Sequence, residues 1–255
     1  MNFIEALKSY SEFSSSFSNA PSDLLRNEAV IESIKDWSEL DTLSSINAWF
    51  RAQQDICSMI VKDIPLMECK DWYYNKNDGV LRHSSGEFFY IQGLRISNTQ
   101  NREVTTGWDQ PILTEVGLNG GILGLLRKKI NSIPYYLIEA KAEPGNPDKV
   151  QISPTLQATF SNLSQAHGGK KPKYSKFFES PETMNATVLF EQWMSEDGGR
   201  LYLKRNKGMI VEIDENTILN DMPATFKWMT LYQIKYFIKK NSWVGPHIRS
   251  IISHL

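Results

Sequence analysis

Between Tyr135 and Glu143 the chain places carboxylates and an ammonium at every second position: Glu139, Lys141 and Glu143. On a β-strand, alternate side chains share one face. Tyr135, Leu137, Glu139, Lys141 and Glu143 therefore project together, and Tyr136, Ile138, Ala140 and Ala142 form a smaller, apolar face suited to a core. Two carboxylates flanking an ammonium can divide acid and base roles, because the ammonium and burial act differently on each carboxyl. A row of charges is equally the pattern of a solvated strand face. Ala140 and Ala142 favour the buried alternative, since tight packing behind a strand makes its charged face need partners.

Those partners are expected next along the chain. Gln151, Ser153, Thr155, Gln157, Thr159 and Ser161 fall on one face of a second candidate strand, with Ile152, Leu156, Ala158 and Phe160 on the other. Only Pro144-Gly145-Asn146-Pro147-Asp148 separates the two strands, which permits a hairpin. Arg200 and Tyr202 alternate on a further strand after Glu196-Asp197-Gly198-Gly199, where a double glycine allows close backbone approach to an anion. Arg95 and Arg102 offer guanidinium forks for phosphate oxygens or, equally, for surface ion pairs. His83 adjoins a Ser-Ser-Gly turn, and His167, His247 and His254 fall in loop or terminal contexts.

Several elements must position these groups. Residues 1–65 are expected to be helical, with Ser22-Asp23 capping a helix to Ile34 and Asp41 or Ser44 capping another through Trp49, Ile56 and Ile60. Ser14-Ser15-Ser16 is a short polar stretch, and Pro65 ends the region. Residues 66–255 then form a β-rich module. Its strands include Glu87–Gln92, Ile122–Leu126 after the Asn119-Gly120-Gly121 turn, and Tyr135–Ile138 after Pro134. Leu201–Leu203 and Met209–Val211 flank Asn206-Lys207-Gly208 and predict a hairpin. Thr230 is expected to cap an amphipathic helix with Leu231, Ile234, Phe237 and Ile238 on one face. Pro246 should start a short final helix.

Composition restricts the class of function. Across 255 residues, 28 Lys and Arg oppose 29 Asp and Glu, a balance that argues against broad nucleic-acid binding. Cys57 and Cys69 are the only cysteines, and they lack metal-ligand spacing. The chain contains no HxH, HExxH, CxxC, Walker loop, GxGxxG or GxSxG motif, so no metal or cofactor is expected. Met1-Asn2-Phe3-Ile4-Glu5 has neither a basic segment nor a long apolar run, and no stretch approaches the ~20 apolar residues of a membrane span. A soluble, cytoplasmic protein is expected.

Several phrases in fixed order resemble the NDP-hexose 2,3-dehydratases of deoxysugar biosynthesis. They are Arg102-Glu103-Val104, Trp108-Asp109-Gln110-Pro111, Glu139 through Asn146, Ser153 through Asn162, Glu196 through Arg200, and Trp228-Met229-Thr230-Leu231. The resemblance runs from about Trp72 to Phe237. It implies an α+β fold, a Nudix-like mixed β-sheet module with flanking N- and C-terminal helices, and no Nudix hydrolase box is found here. It also implies a nucleotide-sugar substrate of the dTDP-4-keto-6-deoxyglucose type and loss of water without a cofactor. Family members carry two tandem modules; a homodimer of this single module would recreate that arrangement.

On this resemblance Glu139, Lys141 and Glu143 are the expected catalytic groups, with Asp109 and Gln110 next. Arg95, Arg102, Arg200 and Tyr202 would hold the diphosphate and Trp108 would wall the nucleotide. Asn146, Thr155, Gln157, Thr159 and Asn162 would orient the sugar. Two alternatives stay open: an isomerase of the same keto sugar, and a binding module without catalysis.

Overall fold

The computed structural model describes residues 1–14, 21–166 and 168–255, except the side chains of residues 13–14 and 21–23. Ser15, Ser16 and His167, and the side chains of Ser14, Ser22 and Asp23, thus lie outside the described residues. Three helices come first: α1 (Phe3–Ser14), α2 (Pro21–Ile34) and α3 (Leu43–Asp55). Thr42 caps α3, its side chain accepting from the Ser45 N–H, so the cap falls between the two expected positions. The helix stops at Asp55, and Ile56 and Ile60 are exposed.

Strands β1 (Trp72–Asn75), β2 (Val80–His83), β3 (Phe89–Ile96) and β4 (Trp108–Glu115) form an antiparallel sheet. The short β10 (Leu201–Tyr202) joins it in parallel with β4. A larger sheet holds β5 (Gly121–Ile130), β6 (Ile133–Ala142), β9 (Ala186–Ser195), β11 (Arg205–Ile213) and β12 (Phe226–Met229), in the order β12-β6-β5-β11-β9. β7 (Val150–Pro154) pairs with β6 and β8 (Leu156–Thr159) with β5. Short helices α4 (Phe160–Leu163) and α5 (Lys176–Glu179) follow, and α6 (Leu231–Ile238) and α7 (Pro246–Ile252) end the chain. This is the expected α+β arrangement of a mixed sheet with flanking helices.

Alternation on β6 sorts its residues as predicted. Tyr136, Ile138 and Ala140 enter one buried cluster with Leu25 and Ala29 of α2, Ile46 and Phe50 of α3, and residues of α6 and α7. Leu137 enters the cluster on the opposite face, with Leu156, Ala158, Phe177 and Phe226. The carboxylates and Lys141 continue this second face beyond the edge of its apolar cluster.

The predicted single strand from Gln151 to Ser161 is broken at Thr155. β5 and β6 pair only from Leu126↔Leu137 to Ile130↔Ile133, and then diverge. β7 runs alongside β6 and β8 alongside β5, so Thr155 sits in the fork. Its Oγ1 accepts from Leu126 N–H at 2.9 Å and donates to the Leu137 carbonyl, supplying both backbone groups that the parting ladder strands. Thr155→Val should leave a buried donor and acceptor unpaired and lower stability by about 2–4 kcal/mol. The urea midpoint reads this directly.

The expected hairpin at Asn206-Lys207-Gly208 does not form. β11 runs straight through these residues, antiparallel to β9 and parallel to β5, while β10 belongs to the other sheet. Gly208 serves packing instead of a turn: a Cβ there would lie 2.5 Å from Met194 Cε. The backbone passes between sheets at Leu203, whose φ is +50°. Thr230 caps α6 in a full capping box with Gln233, and Leu231, Ile234 and Phe237 are buried, whereas Ile238, expected on the same face, is exposed.

Candidate active site

The fork opens onto two cavities that share Lys141, Gln157, Ala158 and Asn162. One, of 460 Å³, holds Glu139 with Gln165, Lys170, Lys173 and Phe226. The other, of 510 Å³, lies where the two sheets meet and holds Glu143, Thr159, Glu196, Lys204, Asn206 and His247. Lys141 thus stands on the ridge between them. Its Nζ donates to the Gln157 carbonyl at 3.1 Å, and Gln157 Nε2 donates to Glu143 Oε1 at 3.0 Å. Strand register explains this convergence: β6 and β8 flank the fork and turn one face of each toward the same space.

Glu139 is half-buried, and no hydrogen-bond partner to its carboxylate is seen among the described residues. Burial raises its pKa above the usual carboxylate value, the nearby Lys141 opposes that rise, and Glu143 adds to it. Such a carboxyl exchanges protons in a range where a fully solvated one stays ionised. Glu143 differs because an amide already occupies one of its oxygens.

The remaining predicted residues divide into two groups. Asn162 lines both cavities and Thr159 lines the second, where its hydroxyl also caps α4 by accepting from the Asn162 N–H at 3.3 Å. Asn146 instead staples the β6–β7 turn through its amide, which donates to the Lys141 and Lys149 carbonyls. Thr155 borders the first cavity, but its hydroxyl is committed to backbone.

Trp108, Gln110 and Arg102 gather elsewhere. They line a 370 Å³ hollow on the five-stranded sheet with Leu94, Ile112 and Gly199. Trp108 Nε1 donates to Gln110 Oε1 at 2.7 Å, Gln110 Nε2 donates to the Gly199 carbonyl at 3.0 Å, and the Arg102 guanidinium stands 5.9 Å from the Trp108 ring. Asp109 forms a two-point exposed pair with Arg95, which holds its carboxyl below the usual range. Arg200 pairs with Asp197 in the open, and Tyr202 lies on β10 beside Thr114. None of Arg95, Asp109, Arg200 and Tyr202 lines either fork cavity.

Several polar groups at the fork, Gln165 and Lys204 among them, lie outside the sequence expectation. Lys170 and Lys173 belong to the lysine-rich run Gly169-Lys170-Lys171-Pro172-Lys173, a legible signal. Glu196 lies within a matching phrase, whereas Asn206 carries no local mark. His247, expected in a terminal context, stands in the first turn of α7 with Nε2 3.2 Å from Glu196 Oε1. Asn206 Nδ2 donates to the same carboxylate oxygen. Of the other histidines, His83 bonds Ser85 and meets the Trp72 and Phe88 rings, while His254 stacks on Phe190.

The fork thus sets a charged strand face into paired cavities and places a carboxyl, without a hydrogen-bond partner among the described residues, near an ammonium. The chain belongs to the NDP-hexose 2,3-dehydratase family, whose model matches residues 43–255. It is similar to dTDP-4-dehydro-6-deoxy-alpha-D-glucopyranose 2,3-dehydratases from Amycolatopsis orientalis, at 34% identity over 214 residues, and Saccharopolyspora spinosa, at 33% over 211. Each alignment covers 82% of this chain, but only 44% and 41% of the respective relative. The chain therefore spans less than half the length of these relatives. Among solved structures, C. elegans Ap4A hydrolase superposes with a TM-score of 0.30 at 11% identity, covering 52% of this chain and 92% of that one. A Nudix hydrolase from M. smegmatis gives 0.31 at 14% identity, covering 55% and 89%. Overlaps of this size carry no conclusion about the expected Nudix-like module.

Proposed function

We propose that this chain removes water from an NDP-4-keto-6-deoxyhexose, dTDP-4-keto-6-deoxyglucose in the first instance, to give the 3,4-diketo-2,6-dideoxy sugar. Within this family, the observation that carries the reading is Glu139: a half-buried carboxyl with no hydrogen-bond partner among the described residues, in the first cavity and two residues along β6 from Lys141, which borders both cavities. The ketone at C4 acidifies the hydrogen on C3 and is itself the electron sink, so the elimination needs no cofactor. Glu139 takes the C3 proton, and Lys141 supports the negative charge that develops on the C4 oxygen. Glu143, held by Gln157, orients the sugar. Lys170 and Lys173 offer cations to the diphosphate in the first cavity. Among the described residues no helix is long and apolar enough to cross a membrane.

Incubation of the protein with dTDP-4-keto-6-deoxyglucose should yield a product lighter by one water in the mass spectrum. Retained mass with solvent deuterium at C3 would identify an isomerase instead, and binding without either change would leave a non-catalytic module.

The same reading includes a homodimer. The five-stranded sheet contributes nothing to the three buried clusters. Its hollow carries Arg102, Trp108 and Gln110, all from phrases typical of the family. A second copy would cover it and bring those groups to a neighbouring site. Sedimentation of the active species should give twice the mass of the 29.2 kDa chain, and an active monomer would sink this part of the proposal.

A further inference from the structure

Resting on the dehydratase reading, we propose that His247, oriented by Glu196, is the proton donor to the hydroxyl leaving C2.

Elimination needs an acid as well as a base, and the acid must stand across the ligand from the base-bearing strand or beside it. The second cavity, which adjoins the cavity of Glu139 along Lys141, Gln157, Ala158 and Asn162, supplies one. Its β6 wall carries Lys141 and Glu143, and its remaining lining includes His247, Glu196, Lys204 and Asn206. Lys204 is occupied, because its Nζ lies 2.8 Å from Glu115 Oε2 and both side chains are buried. Glu196 is held in place by Asn206 Nδ2 and by its own N–H, which donates to the Lys204 carbonyl at 3.0 Å. Its carboxyl lies below the usual range, chiefly through the bond from His247, with burial acting against that shift. An ionised carboxylate on Nε2 fixes that nitrogen as a proton carrier and leaves Nδ1 as the nitrogen for a ligand.

The backbone under His247 is equally well fixed. Gly245 N–H donates to the Ile152 carbonyl at 2.9 Å, tying the start of α7 to β7, which pairs with the strand bearing Lys141. Pro246 opens the helix, and Ile248, Ile251 and Ile252 bury its other side in the core. His247 is thus a polar side chain held at a cavity by a helix that cannot roll without exposing three isoleucines. A histidine placed only for stability would not need to border the cavity that Lys141 and Glu143 also line.

The proton count closes with this pair. Glu139 removes the C3 proton, and the electron pair of that C–H bond forms the enolate onto the C4 oxygen. As the C4 carbonyl re-forms, the C2–C3 double bond forms and the C2–O bond breaks, and His247 delivers its proton to that oxygen so that water leaves. The product enol then gives its hydroxyl proton to His247 while the Glu139 carboxyl protonates C2. Both groups return to their starting states and one water has been lost.

The test separates the two half-steps in deuterated buffer with dTDP-4-keto-6-deoxyglucose, using His247→Gln and Glu196→Gln. For His247→Gln, water loss should fall by ~100-fold or more while deuterium still enters at C3, because proton removal by Glu139 survives. Glu196→Gln should show a smaller loss in the same direction. Thermal unfolding is followed in parallel, and if His247→Gln fails to fold, Glu196→Gln carries the comparison. Water loss at the rate of the unaltered protein, or equal loss of exchange and elimination in a folded variant, overturns the assignment. An unaltered protein that neither exchanges C3 nor loses water removes the dehydratase reading itself and His247 with it. A result confined to the variants bears on His247 alone.

Discussion

Lys141→Met is expected to slow water loss by ~10³-fold while nucleotide-sugar affinity stays within about tenfold. The methionine conserves much of the side chain's bulk and removes its charge. Lys141 is a member of both cavities, and its Nζ is held by the Gln157 carbonyl at 3.1 Å, so the ammonium is in position before any ligand arrives. Charge that develops only as the C3 proton departs is where such a preorganised group has its effect. Glu139→Gln should give a loss of similar size for a different reason, since an amide cannot accept the proton. In the unaltered protein the acidic limb of kcat/KM should lie above the range of an ordinary carboxylate, because the raised Glu139 must be ionised to act as base. Steady-state rates paired with calorimetric binding will check both variants. Full activity in each would remove the β6 carboxylate and Lys141 from the chemistry.

The second large effect is on stability. Arg127→Met should destabilise the fold by about 3–5 kcal/mol, because it leaves carboxylates in a dry interior without their cation. Arg127 is 1% exposed and joins Glu28 and Glu32 of α2 to Glu212 of β11. It therefore ties the N-terminal helices to the central sheet through ion pairs to both. Its carboxylate partners are not equivalent. Glu28, which also meets Lys129 at 2.9 Å, has a lowered pKa: burial raises it, and Arg127 and Lys129 together more than offset that. Glu32 is pushed up to about 7, first by burial, with Arg127 opposing and Glu28 adding to the rise.

The signs follow from linkage. A raised folded-state pKa means the native state holds a proton that the unfolded chain has released. Glu32 therefore contributes stability that is fully present below its ordinary pKa and is lost as pH rises through about 7. Glu28 acts in reverse, its contribution present above its ordinary pKa and lost as pH falls through the lowered one. Urea midpoints from about pH 5 to about pH 8 should decline for the unaltered protein and flatten in Glu32→Gln. Adding Glu32→Gln to Arg127→Met should restore part of the lost stability, as the most deeply buried carboxylate is then neutral. No recovery would show that Arg127 acts through packing and not charge.

What the amino-acid order determined by itself is whatever depends on local geometry. Period-two alternation put Glu139, Lys141 and Glu143 on the face opposite Tyr136, Ile138 and Ala140, because successive side chains on a strand point to opposite sides whatever the strand packs against. The short Pro-Gly-Asn-Pro-Asp link gave the β6–β7 hairpin, and Thr230 and Pro246 marked helix starts, for equally local reasons. The order of separate phrases carried the family.

Tertiary structure decided what meets what. Thr155 reads as one more polar residue in an alternating strand, and only the parting of β5 from β6 converts it into a backbone brace. Trp108 and Arg102 belong to phrases of the same family series as the charged strand, yet the sheet order sends them to a different hollow. His247 lies over a hundred positions from Lys141 and borders the same cavity, because Gly245 docks on β7 and β11 runs parallel to β5. Such meetings follow from strand order and register, which are set by burial summed over the whole chain and leave no periodic trace near the residues concerned.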